Sequence, residues 1–137
     1  MNAYTTIEES KQLIEAGLDV NTADMFWQAS EDPSMWEYDN PQIFVGEKPK
    51  LMLKWLYAVP AWSLAALLEI IPKQLHINNN AWEIYVPVIY LGEKCVVAYQ
   101  HSNIFMHSEY SDTNIEAVYK MVIWLLENNY IKSNKNE

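Results

Sequence analysis

The sequence predicts an α+β fold in a single domain, with three helices packed on one face of an antiparallel sheet of at least three strands. Three observations predict it. Apolar residues recur at helical spacing near both ends and in the centre, each time with a capping signal. Between the central and last of these segments lies a run of β-branched and aromatic residues broken by turn signals. Length and composition suit one core: 137 residues, half of them hydrophobic, with six Trp, nine Tyr and three Phe, an aromatic content that disordered chains lack. The domain is read as residues 1–137, with 132–137 a polar tail.

The first helix starts at Thr5 or Thr6, each followed three residues on by Glu8 or Glu9, the capping-box spacing. Ile7, Ile14 and Leu18 fall near one face, and Gly17 stands where a left-handed helix stop favours glycine. The stretch "LIEAGLDVNTADM" (13–25) is similar to part of an ankyrin repeat. An array is excluded, because the next residues are "MFWQASEDPSMW" and no second copy follows about 33 residues later; an isolated repeat cannot bury its faces. The fragment is read as a helix stop that enters extended chain.

Residues 28–49 are the least regular, with three prolines, a glycine and several turn formers. Within them "QIFV" is a candidate short strand, and "KLMLKWLYA" (50–58) is read as another. "VPAWSLAALLEIIPK" is the central helix, begun at Pro60 or capped by Ser63 and ended by Pro72. Its Leu and Ile residues occupy most of the circumference, which places it in the middle of the domain.

Residues 81–110 read as an antiparallel meander. A two-residue turn at Gly92-Glu93 would pair Tyr90 with Cys95, Val88 with Val97 and Val86 with Tyr99. One face then holds Trp82, Ile84, Val86, Val88, Tyr90, Cys95, Val97 and Tyr99 and is the core face. The other, with Glu83, Tyr85, Gln100, His107 and Glu109, is the wet one. Pro87 lacks a donor and marks an edge or a bulge. A second turn at Ser102-Asn103 leads to a strand over 104–109. The last helix begins near Asp112 or Thr113, with Thr113 and Glu116 at capping-box spacing. It carries the stripe Ile115, Val118, Tyr119, Val122, Leu125 and Leu126, and stops near Asn129. Trp124 lies opposite that stripe, so the helix buries two sides or shows a tryptophan to a partner.

Three segments, "ESKQLIEAGLDVNTADM", "VPAWSLAALLEIIP" and "AVYKMVIWLLENNYI", cover about a third of the chain. In their order and in the Trp-Ser-Leu helix start they resemble a family of small proteins, without assigned activity, encoded in gut Bacteroidales genomes and their phages or mobile elements. The resemblance implies a phage-type accessory role and supplies no mechanism, since the family has no assigned catalytic residues or cofactor.

The formal net charge is −9, and it is lopsided: residues 1–49 hold ten acids against Lys11 and Lys48, and the chain has no arginine. Direct nucleic-acid binding is disfavoured, because it relies on basic patches and bidentate arginines. No apolar run reaches the roughly 20 residues of a membrane-spanning helix, and the start shows no signal-peptide pattern, so no membrane partner is expected. Cys95 is the only cysteine, and a reducing cytoplasm is the expected compartment.

Cys95, His101 and His107 stand six residues apart, but six residues of strand span roughly 20 Å, too far for ligands converging on one metal. Neither a nucleophile elbow nor a phosphate-binding glycine loop is present. No metal, cofactor or catalytic set is expected. The leading expectation is an interaction protein that binds a protein partner through Trp36 and Tyr38, in the acidic-aromatic loop "SEDPSMWEYDN", and through Trp124, which also serves as a candidate homodimer contact. One alternative is an acidic nucleic-acid mimic that occupies a host enzyme's basic groove. Another is a small-ligand binder or hydrolase centred on Glu69 or His107. Its pocket candidates are Trp62, Glu69, Tyr85 and His107, with Glu69 on the same helical stripe as Trp62.

Overall fold

The computed structural model describes residues 3–30, 32–38, 40–46, 56–76 and 83–133, excepting the side chains of 56 and 57. Helix α1 (Ile7–Glu15) starts at Thr6. Glu9 N–H donates to Thr6 Oγ1 at 3.1 Å and Thr6 N–H donates to Glu9 Oε1 at 2.9 Å, completing the capping box. Thr5 is buried instead, 2.7 Å from Ser10 Oγ, and accepts the Trp62 N–H at 3.1 Å. The helix ends at Gly17, whose φ of +104° suits a residue without Cβ. Leu18 N–H returns to Leu13 O and Gly17 N–H to Ile14 O, the paired bonds of a Schellman stop. A 3₁₀ turn over Val20–Thr22, capped by Asp19, leads into strand β1 (Met25–Ser30). The ankyrin-like fragment is a helix stop feeding a strand.

Strand β1 is the middle of a three-stranded antiparallel sheet, between β2 (Gln42–Val45) and β3 (Leu56–Ala61). "QIFV" forms the expected strand. The described end of "KLMLKWLYA", residues 56–58, belongs to β3, and residues 50–55 lie outside the described residues. Strand β3 continues through Pro60, which pairs with Phe26. An edge strand tolerates a residue without a donor, so Ser63, not Pro60, opens the next helix. The three-stranded sheet as a unit was not foreseen from the sequence.

Helix α2 (Leu64–Ile70) is capped by Ser63, whose Oγ accepts the Ala66 N–H at 3.1 Å. The chain leaves it at Ile71, before Pro72. The sequence placed this helix at the centre, but only Leu67 within it is fully buried, and Ala65 and Glu69 are exposed. The centre is Trp62, just ahead of the cap and without solvent contact. Trp62 is therefore not on the helix and shares no stripe with Glu69.

The second sheet runs β4 (Leu75–His76), β5 (Ile84–Leu91), β6 (Cys95–His101) and β7 (Ile104–Ser111), in that spatial order and antiparallel throughout. Its register corrects the expected one. Leu91 pairs with Cys95, Ile89 with Val97 and Pro87 with Tyr99, so the loop is Gly92-Glu93-Lys94 and β5 is slipped by one residue. A slip of one sends every side chain of a strand to the opposite face. Cys95, Val97 and Tyr99 are buried as expected, but Val86 and Tyr90 are exposed and Tyr85 is buried. Trp82, assigned to the core face, lies outside the described residues. Between Tyr99–His107 and Gln100–Phe105 the ladder shifts, leaving Met106 as the extra residue of a bulge. His107 and Glu109 thereby stand on the core side, not the wet one.

Helix α3 (Asn114–Glu127) starts at Thr113, whose Oγ1 accepts the Glu116 N–H. All six residues of its apolar stripe are buried, and so are Ala117 and Met121 behind them. Asn129, at φ +63°, takes the left-handed position beyond the cap, with Tyr130 N–H returning to Leu125 O. Helix α3 lies on β6 and β7; α2 and α1 touch α3, and α1 also packs on β3. The main core gathers Trp62, Leu67, Val97, Tyr99, Val118, Met121, Val122 and Leu125, while Ile7, Ala29 and Val59 form a smaller one under α1. The tail begins pinned: Ser133 is buried, and its Oγ donates to Ala16 O at 3.0 Å.

Candidate functional site

Helix α3 packs on the inner face of β6 and β7, and among the described residues no helix packs against their outer face to a comparable extent. Its paired residues form three rows across β5, β6 and β7: Tyr90–Val96–Tyr110, Val88–Ala98–Ser108 and Val86–Gln100–Phe105. None of the nine is charged. Tyr110 is 63% exposed and Phe105 54%, with Tyr90 and Val86 also open to solvent. The Tyr90 and Phe105 rings meet edge to face at 6.4 Å, and the Tyr90 hydroxyl donates to Gln100 Oε1. Past the Tyr90 row, Lys94 and Asp112 pair at 2.6 Å and cancel each other's charge. That hydrogen bond, and the Coulomb attraction with it, holds the Asp112 carboxyl below and the Lys94 ammonium above their usual ranges. Leu91 and Ile89, on the inner side of β5, are exposed as well. Such a surface can bind another apolar surface.

Of the expected partner anchors, Trp36 sits in a 3₁₀ turn (Pro33–Glu37) begun by Asp32, which accepts from Ser34 N and Oγ. Those two bonds hold the Asp32 carboxyl below its usual range. The Trp36 indole folds back, donating to Ser30 O at 3.0 Å and packing on the smaller core. Tyr38 points away and is 82% exposed. Glu31 and Asp39 of that loop lie outside the described residues.

Trp124 and His107, assigned to different sites by sequence, are in contact. Their rings stack at 4.1 Å and 4°. Tyr130 stacks on the same indole at 5.3 Å, and His107 Nε2 hydrogen-bonds Glu109 Oε2. The imidazole is thus held by a hydrogen bond to a carboxylate and by an indole on its face, which together orient the ring. Trp124 is spent largely inside the molecule.

The remaining pocket candidates separate. Trp62 is core, its indole N–H donating to Thr22 Oγ1 at 2.9 Å. Tyr85 is also core, tilted against His101 and donating to Glu83 Oε1 at 3.0 Å. Glu69 lies on the rim of a hollow of about 630 Å³ lined by Leu18, Asp19, Thr22, Asp24, Ala65, Ala66, Ile70, Ile131 and Lys132. Glu69 is exposed on that rim. A second hollow, about 490 Å³, lies between α1 and α3 and is lined by Gln12, Glu15, Ala16, Ile123, Leu126, Glu127, Asn129 and Ser133.

Cys95 is buried, and desolvation pushes its thiol up. His101 Nδ1 is 3.0 Å from Ile84 O. Among the described residues no three of His, Cys, Asp and Glu gather as metal ligands, and no helix is long and apolar enough to cross a membrane. A comparison with protein families, curated proteins and solved structures finds no match for this chain. The fold and surface together define an α+β domain with an uncharged, aromatic sheet face.

Sequence reasoning missed that face for an identifiable reason. "IYVPVIYL" is apolar on both sides, so alternation could not select the register. The three-residue loop "GEK" was the available signal, since such loops are the next commonest hairpin connection after two-residue ones.

Proposed function

We propose that this chain is an accessory interaction protein that docks a protein partner on the outer face of its four-stranded sheet. The observation that carries the reading is a face with no charged residue on a chain of net charge −9, with Tyr90, Phe105 and Tyr110 standing open on it. Val86, Tyr90, Phe105 and Tyr110 together leave roughly 400 Å² in solvent, within the roughly 300–600 Å² of a typical chain's largest apolar patch, which is often functional. Aromatic anchors on a charge-poor centre match the composition of interface cores. The partner this face suits is a protein with an equally uncharged, apolar surface. The accessory role implied by the resemblance to Bacteroidales and phage proteins agrees with that reading.

The test is purification from the native host, with mass spectrometry of co-eluting proteins, for the native chain and for Phe105→Lys/Tyr110→Lys. Both positions are exposed, so circular dichroism and thermal melting should be unchanged. The partner recovered with the native chain should be missing from the variant. An identical set of co-eluting proteins would refute the reading. Sedimentation equilibrium of the pure chain reports whether a second copy is the occupant.

A further inference from the structure

We propose that the two hollows flanking the C-terminal segment form one bipartite site for a basic, apolar-anchored peptide segment of a protein partner. The segment Ile131–Ser133 crosses the turn after α1, pinned by the Ser133 bond to Ala16 O, and stands as a ridge with one hollow on each side. This site is separate from the outer sheet face, and the inference does not rest on the docking proposed there.

The larger hollow has an apolar wall, with Leu18, Ala65 and Ile70 among the residues lining it. The smaller sets Ala16, Ile123 and Leu126 beside Gln12, Glu15, Glu127, Asn129 and Ser133 and is mainly polar. Apolar surface is covered most favourably by apolar groups. The rims carry acidic groups, Glu15 and Glu127 on one side and Asp19, Asp24 and Glu69 on the other, with Lys132 the only cation lining either hollow among the described residues. Two of these carboxylates are fixed in place. Asp19 accepts the Asn21 N–H at 2.9 Å, and Asp24 accepts the Ser63 N–H at 2.9 Å as well as its hydroxyl. Glu69 makes no ion pair among the described residues. Five carboxylates against one ammonium select a cationic ligand, because complementary charge sets which partners approach and in what register. The apolar hollow selects a large apolar side chain and the acidic, polar one a cationic side chain, and volumes of about 490 and 630 Å³ leave room for either. A Lys- or Arg-bearing amphipathic segment meets both demands; a phosphate-bearing ligand meets neither.

The experiment is fluorescence anisotropy with a short dye-labelled peptide of Leu and Lys, against a counterpart with Ser for Leu at the same charge and one with Glu for Lys. The Leu/Lys peptide should bind at least roughly tenfold more tightly than either counterpart. Ala65→Trp, which fills the larger hollow, and Glu69→Lys should each weaken it by roughly tenfold or more. Both sites are exposed, so the melting temperature should hold. Glu93→Gln, in the β5–β6 loop away from the hollows, and Phe105→Lys/Tyr110→Lys should bind as the native chain does. Absence of binding, equal binding of the Ser/Lys peptide, or indifference to Ala65→Trp overturns the inference. So does loss of binding in the sheet-face variant, which would put the peptide on the other surface.

Discussion

Trp62→Phe tests the claim that the core is built around a tryptophan ahead of α2. The Trp62 side chain has no solvent contact, and its indole N–H donates to Thr22 Oγ1 at 2.9 Å. Losing that bond costs about 1 kcal/mol. The smaller ring also empties roughly 40 Å³ of close-packed space, and at about 24 cal/mol per Å³ this adds about 1 kcal/mol. Transfer of the deleted apolar atoms adds about 1 kcal/mol more. The expected cost is therefore about 3 kcal/mol, a large share of the roughly 5–15 kcal/mol that holds a domain together. Thr22→Val removes the acceptor alone and leaves a buried donor unpaired, at about 1–3 kcal/mol. Since both variants break one bond, the double variant should cost about 1 kcal/mol less than their sum. Urea unfolding followed by far-UV circular dichroism measures all four corners of the cycle. A cost below about 1 kcal/mol for Trp62→Phe, or strict additivity with Thr22→Val, would refute the reasoning.

Two further predictions follow from burial. The β5 register puts Tyr85 inward at 4% exposure and Tyr90 outward at 43%; about 40% of a roughly 200 Å² side chain at about 25 cal/mol per Å² makes Tyr85→Ala about 2 kcal/mol more destabilising than Tyr90→Ala. The register inferred from a two-residue turn demands the reverse order, and the same unfolding assay decides between them. The second concerns pH. Burial raises the Tyr99 pKa above the ordinary tyrosine value, so the fold favours its neutral form; this contribution is full below a pH of about 10 and declines as pH climbs beyond it toward the folded value. Tyr99→Phe should lose about 1 kcal/mol at neutral pH with its bond to Pro72 O, yet show a shallower alkaline fall in urea midpoint. Burial raises Tyr119 too, so the fall should lessen without vanishing, and an unchanged alkaline slope would count against the buried assignment.

The parts of the fold legible in the sequence are those written into adjacent residues. Thr6 and Glu9, Gly17, Ser63 and Thr113 mark helix ends through bonds spanning three to five residues, and each lies where its spacing puts it. The stripe of α3 needs only a period of 3.6, and it is buried throughout. The three-stranded sheet was not legible, because its strands are four to six residues long and β1 pairs with chain more than ten residues away on either side. Within the site the same division holds. Helical periodicity put Glu69 on one stripe with Trp62, and only the cap at Ser63 showed that Trp62 precedes the helix. The contact of His107 with Trp124 depends on the bulge at Met106, which no local pattern announces.

What the sequence by itself determined was the class of fold, the helix ends, the acidic balance and the strand pattern of β6, since each rests on local bonds or on one strand's own alternation. The tertiary structure alone decided which side of β5 faces water. A strand apolar on both sides is indifferent to register until α3 takes one face of its neighbours and leaves the other open. That choice turned Val86 and Tyr90 from expected core into exposed surface, because the free energy of burying an apolar side chain depends on what lies across from it.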